Sequence, residues 1–265
     1  MIKIIKSTKF LIALLIVLFC YSILVDVFKI SLNADKLLSD MLNMIITRVL
    51  GGIVFLLLII RYDYNIFKFK NNNFLKAVLI SLPCLLICIN NLPLIAIITK
   101  NAYLIRSSRD LMIFIVQCFS IGLFEEMAFR GIVLLLIVNK FAKTTKGIFI
   151  SLILSSAIFG GIHLFNIFSG AGIGDTILQV GYSFLMGGMW GAILLKTHNI
   201  WLCVMLHAVY DFCGMLMPTL GAGTWWDLPT IIITVIFSIA IFIYIIYLIF
   251  TINIKDINYI YKKDN

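Results

Sequence analysis

Residues 111–139 read LMIFIVQCFSIGLFEEMAFRGIVLLLIVN, an apolar run interrupted by two adjacent carboxylates, Glu125 and Glu126, and by Arg130. A bilayer core needs around 20 apolar residues per helix. Its centre penalises an ionised side chain by roughly 2.5–3.5 kcal/mol on insertion scales. The run is long enough to span, so the charges inside it call for a function and for named partners. Glutamate occurs nowhere else in the chain.

Similar runs flank this one on both sides, separated by short polar, basic or Pro/Gly-containing connections. They predict spans at about 10–28, 43–60, 77–99, 111–139, 147–165, 176–195, 200–217 and 229–251. The expected fold is therefore all-α, a polytopic membrane protein of about eight transmembrane helices forming a single membrane domain over residues 1–265. Composition agrees: 62% of the 265 residues are hydrophobic and 12% charged, against roughly 45–50% and 25% in soluble domains. The N-terminal Lys3, Lys6 and Lys9 before an apolar run resemble a signal peptide. No small-x-small cleavage site follows, so an uncleaved first span is expected.

The net charge of +9 excludes little by itself, but its distribution speaks against a nucleic-acid partner. The basic residues are spread over short loops and tails rather than gathered on one face. Most fall on the side of the N terminus, with Lys29, Lys36, Lys100, Arg106 and Arg109 opposite. This bias predicts a multi-pass protein of the cell membrane with both termini in the cytosol. The six cysteines lie in or beside apolar runs, which argues against an extracellular disulfide framework. A glycine-rich stretch from Ser169 to Asp175 predicts a flexible outer loop, and Gly187, Gly188 and Gly191 predict close helix packing.

Three polar constellations stand out from this background. On a helix Glu126 and Arg130, four apart, share a face with the acid N-terminal, the better orientation for an ion pair. Glu125 is turned about 100° from Glu126 and is expected to be free to face a different cavity. The second constellation is Phe159-Gly-Gly-Ile-His163 and the third His207-Ala-Val-Tyr-Asp211. The remaining histidine, His198, sits between Lys196 and Asn199, where solvent can satisfy it. Counted at about 1.5 Å per residue from the cytosolic ends, Glu125, His163, His207 and Asp211 fall roughly 12–24 Å deep, so one cavity can hold them all.

Two chemistries suit such a cavity. A carboxylate can take a proton from water as the water attacks a peptide carbonyl, with imidazoles positioning the water or supporting the oxyanion. Alternatively Glu125, His163, His207 and Asp211 offer ligand types acceptable to zinc with an open water position. No HExxH spacing supports the metal reading locally.

Together the ordered patterns Glu125-Glu126-x-x-x-Arg130, Phe159-x-x-x-His163 and His207-x-x-x-Asp211 resemble the CAAX protease and bacteriocin-processing (CPBP) family, which includes the type II CAAX prenyl endopeptidases. The resemblance covers residues 110–215. It implies an intramembrane endopeptidase with a cavity open toward the cytosol and the lipid. Glu125 would be the general base and His163 would help hold the water. His207 and the residue at 211 would stabilise the oxyanion or, in the metalloprotease description, bind metal. Family members carry Asn or Asp at the last position. An ionised Asp211 cannot donate a hydrogen bond, so it is either protonated, or orients His207, or ligates a metal. The expected cofactor is none, or zinc.

The expected partners are the lipid bilayer and a peptide or membrane-anchored protein substrate. Nothing in the chain shows a prenyl-binding preference, and the high Ile, Lys and Asn content suggests a low-GC bacterial gene. A leader peptide, pheromone precursor or bacteriocin-type peptide is therefore favoured over a CAAX protein. Three competing readings use the same residues: a non-catalytic immunity or interaction protein, a proton-linked transporter, and a cysteine peptidase with Cys203 one turn before His207.

Overall fold

A computed structural model describes residues 17, 32, 35–69 and 73–261. The expected span at 10–28 lies, apart from Val17, outside the described residues. Helix α1 (Lys36–Tyr62) is followed by α2 (Phe74–Asn90), a short α3 (Leu94–Ile98) and strand β1 (Ala102–Leu104). Next comes one continuous helical segment in three parts: α4 (Ser108–Glu125), a π-helix (Glu126–Leu134) and α5 (Leu135–Phe141). Helix α6 (Thr145–Ile162) tightens into a 3-10 turn (His163–Ser169). The remaining elements are α7 (Ile173–Thr197), α8 (Ile200–Leu220), β2 (Gly221–Gly223), α9 (Leu228–Thr251) and α10 (Ile254–Ile260).

Five helical segments among the described residues are long and apolar enough to cross a membrane: Lys36–Tyr62, Thr145–Phe168, Ile173–Thr197, Ile200–Leu220 and Leu228–Thr251. They answer to five of the expected spans. The run at 111–139 is helical throughout but changes its winding at Glu126. The expected span at 77–99 is cut short: α2 ends at Asn90, and Pro93, whose ring fixes φ and removes a donor, starts α3. The flexible outer connection expected at 169–175 is shorter, because α7 starts at Ile173 and Asp175 already lies in its first turn.

Span ends are marked by polar caps, which satisfy the backbone N–H groups that a helix leaves open at its start. Asp35 accepts from the N–H groups of Leu37 and Leu38, Thr144 from Gly147, and Asn199 from Trp201 and Leu202. Ser107 and Asp110 form a reciprocal capping box at the start of α4.

Contacts between connections sort them onto two sides. On one side Asp35 pairs with Arg106, and β1 pairs antiparallel with β2, Ala102 opposite Gly223. The hydrogen bond from Arg106 holds the Asp35 carboxyl below its usual range. On the other side the N–H of Ile200 donates to the Ile66 carbonyl, and the Asn65 amide donates to the Tyr259 carbonyl. This alternation is what successive spans require.

The exposed and buried faces follow a membrane logic. On α1 the exposed Ile46, Leu50, Ile53 and Leu57 recur at helical spacing and form a stripe suited to lipid. The interior holds Met127, Ile132, Leu134, Trp190 and Leu194, all essentially inaccessible. Apolar burial offers little drive between helices in lipid, so close packing matters more. The glycines of α7 provide it: a Cβ at Gly187 would lie 3.1 Å from Ser156 Cα, and one at Gly191 2.8 Å from Leu152 Cδ2, both on α6.

Candidate active site

The site is built where α1, the α4/π segment, α6, α7 and α8 meet. Its position depends on close approach at Gly122. A Cβ there would sit 2.8 Å from the Val204 carbonyl oxygen, 3.2 Å from the Ala208 nitrogen and 3.4 Å from His207 Cβ. Glycine therefore lets α4 reach the backbone of α8 beside His207. Gly122→Val is expected to force the two helices apart. A loss of about 1–3 kcal/mol, typical of overpacking, should accompany loss of activity, checked by thermal unfolding in detergent alongside a turnover assay.

One turn further along, His207 is held by the glutamate pair. Glu126 Oε1 lies 2.7 Å from His207 Nδ1 and 3.0 Å from Arg130 Nη1. The expected ion pair is thus present, with Glu126 0% and Arg130 1% exposed. An ionised Glu126 can only accept, so Nδ1 of the ring is the donor. The Arg130 guanidinium rests 4.1 Å over the Phe159 ring, a cation–π contact within the usual range. Trp190 stacks along His207 at 6.4 Å. Carboxylate, guanidinium and two aromatic rings thereby fix the imidazole plane.

The other ring nitrogen faces the remaining acids. His207 Nε2 is 3.7 Å from Glu125 Oε2 and 3.5 Å from Asp211 Oδ2. These separations exceed a hydrogen bond, so Nε2 is committed to neither acid. Both glutamates address one histidine from opposite ring nitrogens, and Glu125, His207 and Asp211 meet at one place. The winding changes at Glu126, where i→i+5 bonding replaces i→i+4, and such π segments occur frequently at functional sites. A uniform α-helix would spread two neighbouring side chains further round the axis.

His163 ends α6 and begins the 3-10 turn. It makes no hydrogen bond or ion pair among the described residues. Phe159 stands beside it, with ring centres 5.5 Å apart, and beside His207 at 6.2 Å. The aromatic ring of the second motif thus lies against both imidazoles.

His198 does not sit in solvent as its loop position suggested. It is fully buried, packs on Tyr259 at 4.8 Å and closes α7 in the left-handed region at φ 58°. Cys203 is also fully buried, and its thiol points to the Trp190 carbonyl at 3.3 Å rather than to His207. That orientation gives the cysteine-peptidase reading no nucleophile–base contact.

The ligand types are suitable, but among the described residues no group of three or more His, Cys, Asp and Glu side chains is arranged to hold a metal ion. The side chains therefore do not fit a closed zinc set in this arrangement.

A cavity of about 640 Å³ reaches the site from one side. Asp211, Tyr182 and Tyr210 line it together with apolar residues of α6, α7, α8 and α9, among them Leu152, Met189, Met215 and Ile245. Asp211 is thus the acid of the centre that this cavity exposes.

Fold and site together define a polytopic, all-helical membrane protein with an acid–histidine centre buried between its helices. Residues 107–213 match the family described as type II CAAX prenyl endopeptidase Rce1-like, in agreement with the family that the ordered motifs resemble. The matched segment runs from the cap of α4 into α8 and contains Glu125, Glu126, Arg130, His163, His207 and Asp211. Neither the comparison with curated proteins nor that with solved structures finds a match.

Residues outside the three motifs also shape the centre. Trp190 carried no signal in the sequence, because it lies on a helix with no spacing relation to His207.

Proposed function

We propose that the protein is an intramembrane endopeptidase that hydrolyses a peptide bond with water activated by Glu125. The convergence of Glu125, Glu126 and Asp211 on the single imidazole of His207 carries this reading, supported by the family match. Glu125 takes a proton from water as the water oxygen bonds to the carbonyl carbon and the C=O π pair moves onto oxygen. Collapse of the tetrahedral intermediate breaks the C–N bond, and the proton held by Glu125 passes to the departing amine. The products are a carboxylate and an amine.

The other residues position this step. Arg130 holds Glu126 in place, Glu126 fixes the ring of His207 through Nδ1, and Nε2 faces the space beside Glu125. Asp211 orients that ring from the next turn, the role among the three open to it that the 3.5 Å approach favours. His163 supports the water from the far side of Phe159. The apolar cavity at Asp211 suits a substrate that arrives from lipid, such as a leader peptide, a bacteriocin-type peptide or a membrane-anchored protein. We place both termini on the cytosolic face, from the basic-residue bias.

The test is turnover. Purified protein in detergent is expected to release more than one product per molecule from a pool of membrane-bound peptides, with and without chelator. Stoichiometric binding without cleavage would sink the peptidase reading in favour of an immunity or interaction protein. Loss of activity on chelation, restored by zinc, would show that a metal completes the centre.

A further inference from the structure

Two hydroxyls stand unused in the cavity that opens at Asp211. Tyr182 of α7 and Tyr210 of α8 line it, and neither hydroxyl makes a hydrogen bond among the described residues. A tyrosine removed from water normally finds a partner for its O–H, as Tyr244 of α9 does by donating to the Ile80 carbonyl at 2.7 Å. Tyrosines at a membrane interface are served by the headgroup region, but these two lie deep. Tyr210 is ten residues from either end of α8, about 15 Å at 1.5 Å per residue, and Tyr182 is nine residues, about 14 Å, from the nearer end of α7.

Both rings are fixed relative to the centre. The Tyr210 ring packs edge-on against Trp190 at 6.5 Å, and Trp190 in turn stacks along His207. The Asn91 amide donates to the Tyr210 carbonyl at 3.2 Å. That approach needs glycine at 214, where a Cβ would collide with the same amide. On the other side, a Cβ at Gly160, the residue after Phe159, would lie 2.8 Å from the Val180 carbonyl oxygen and 3.1 Å from the Phe184 nitrogen. The stretch of α7 that brackets Tyr182 is thus pressed onto α6 beside the second motif. Packing holds the rings and leaves the hydroxyls to an occupant.

The chemistry of that occupant follows from depth and spacing. A lipid headgroup does not reach the middle of the bilayer, whereas a peptide carries carbonyls inside an apolar chain. In a helix those carbonyls are bonded internally; in an extended segment they are not, and lipid offers them no donor. Along one side of an extended chain they recur every second residue, about 6.4–6.8 Å apart. The Tyr182 and Tyr210 rings stand 6.4 Å apart, and most of the remaining lining is apolar.

We propose that Tyr182 and Tyr210 bind the main chain of an extended apolar peptide in this cavity, donating their hydroxyls to carbonyls two residues apart and so presenting the adjoining bond to the centre at Asp211. The proposal rests on the peptidase reading for its use, but the binding can be measured without turnover. The probe is N-acetyl-leucyl-leucine methylamide, and its comparator carries thiocarbonyls, weaker acceptors, in place of the first and third carbonyls. Both are titrated against the full chain carrying Glu125→Gln, in nanodiscs of uncharged lipid, with uptake by protein-free discs subtracted.

A preference of about tenfold for the all-amide probe is expected, about threefold from each neutral hydrogen bond. Tyr182→Phe and Tyr210→Phe should each leave about threefold and the double variant none, whereas Tyr244→Phe, whose hydroxyl is already engaged, should leave the preference whole. With any peptide that the protein cleaves when Glu125 is intact, the double variant should raise KM about tenfold and change kcat less than about threefold, the mark of binding equal in ground and transition states. Absence of the preference, or a preference that survives in the double variant, would overturn the proposal, as would a fall in kcat at unchanged KM. If the preference behaves as expected but the intact protein cleaves nothing, the peptide subsite stands and the peptidase reading fails.

Discussion

Arg130→Met is expected to be the most destabilising single substitution in the centre. The methionine fills much of the space but strands the Glu126 carboxylate, which is 0% exposed, without its cation. Breaking a buried ion pair on one side costs about 3–5 kcal/mol, because the surviving charge must be neutralised or left unsolvated. His207 loses its anchor at the same time, since the carboxylate that accepts from Nδ1 is the one Arg130 holds. The matched double variant Glu126→Gln/Arg130→Met leaves no unpaired charge and should regain more than half of the lost stability. Unfolding in detergent, followed by circular dichroism, checks both. A single variant as stable as wild type would mean that Glu126 and Arg130 do not pair in the membrane-embedded protein.

Glu125→Gln should do the reverse, sparing the fold and removing the activity. Its side chain is 13% exposed and reaches no closer than 3.7 Å to its histidine partner. No short hydrogen bond is lost, and an amide of the same size fits the space. Replacing a general base typically lowers rate by about 10²–10⁴, and the amide cannot take the proton from water. Stability within about 1 kcal/mol of wild type, together with a kcat loss of that size, is the expected pair of results. A comparable loss of both would instead identify Glu125 as structural.

Much of this was legible in the sequence because membrane helices obey few rules. Apolar runs of sufficient length at 43–60, 176–195, 200–217 and 229–251 fixed the corresponding helices to within several residues at either end. The i, i+4 spacing of Glu126 and Arg130 foretold their ion pair, and Gly187 and Gly191 foretold close helix packing, though not its partner. What stayed hidden depends on winding and on neighbours distant in the chain. Nothing in EMAFRGIVL announces a π-helix, so the bond of Glu126 to His207 was not foreseen. His198 looked solvated because its immediate neighbours are polar, yet the ring of Tyr259, remote in sequence, covers it.

The measurement closest to the central claim is mass analysis of products formed in ¹⁸O-labelled water by wild type and Glu125→Gln, reconstituted side by side in liposomes carrying the same peptide. Hydrolysis through Glu125 predicts a new C-terminal carboxylate bearing solvent oxygen from wild type and intact peptide from the variant. The same labelled product from both, at comparable rates, would contradict it.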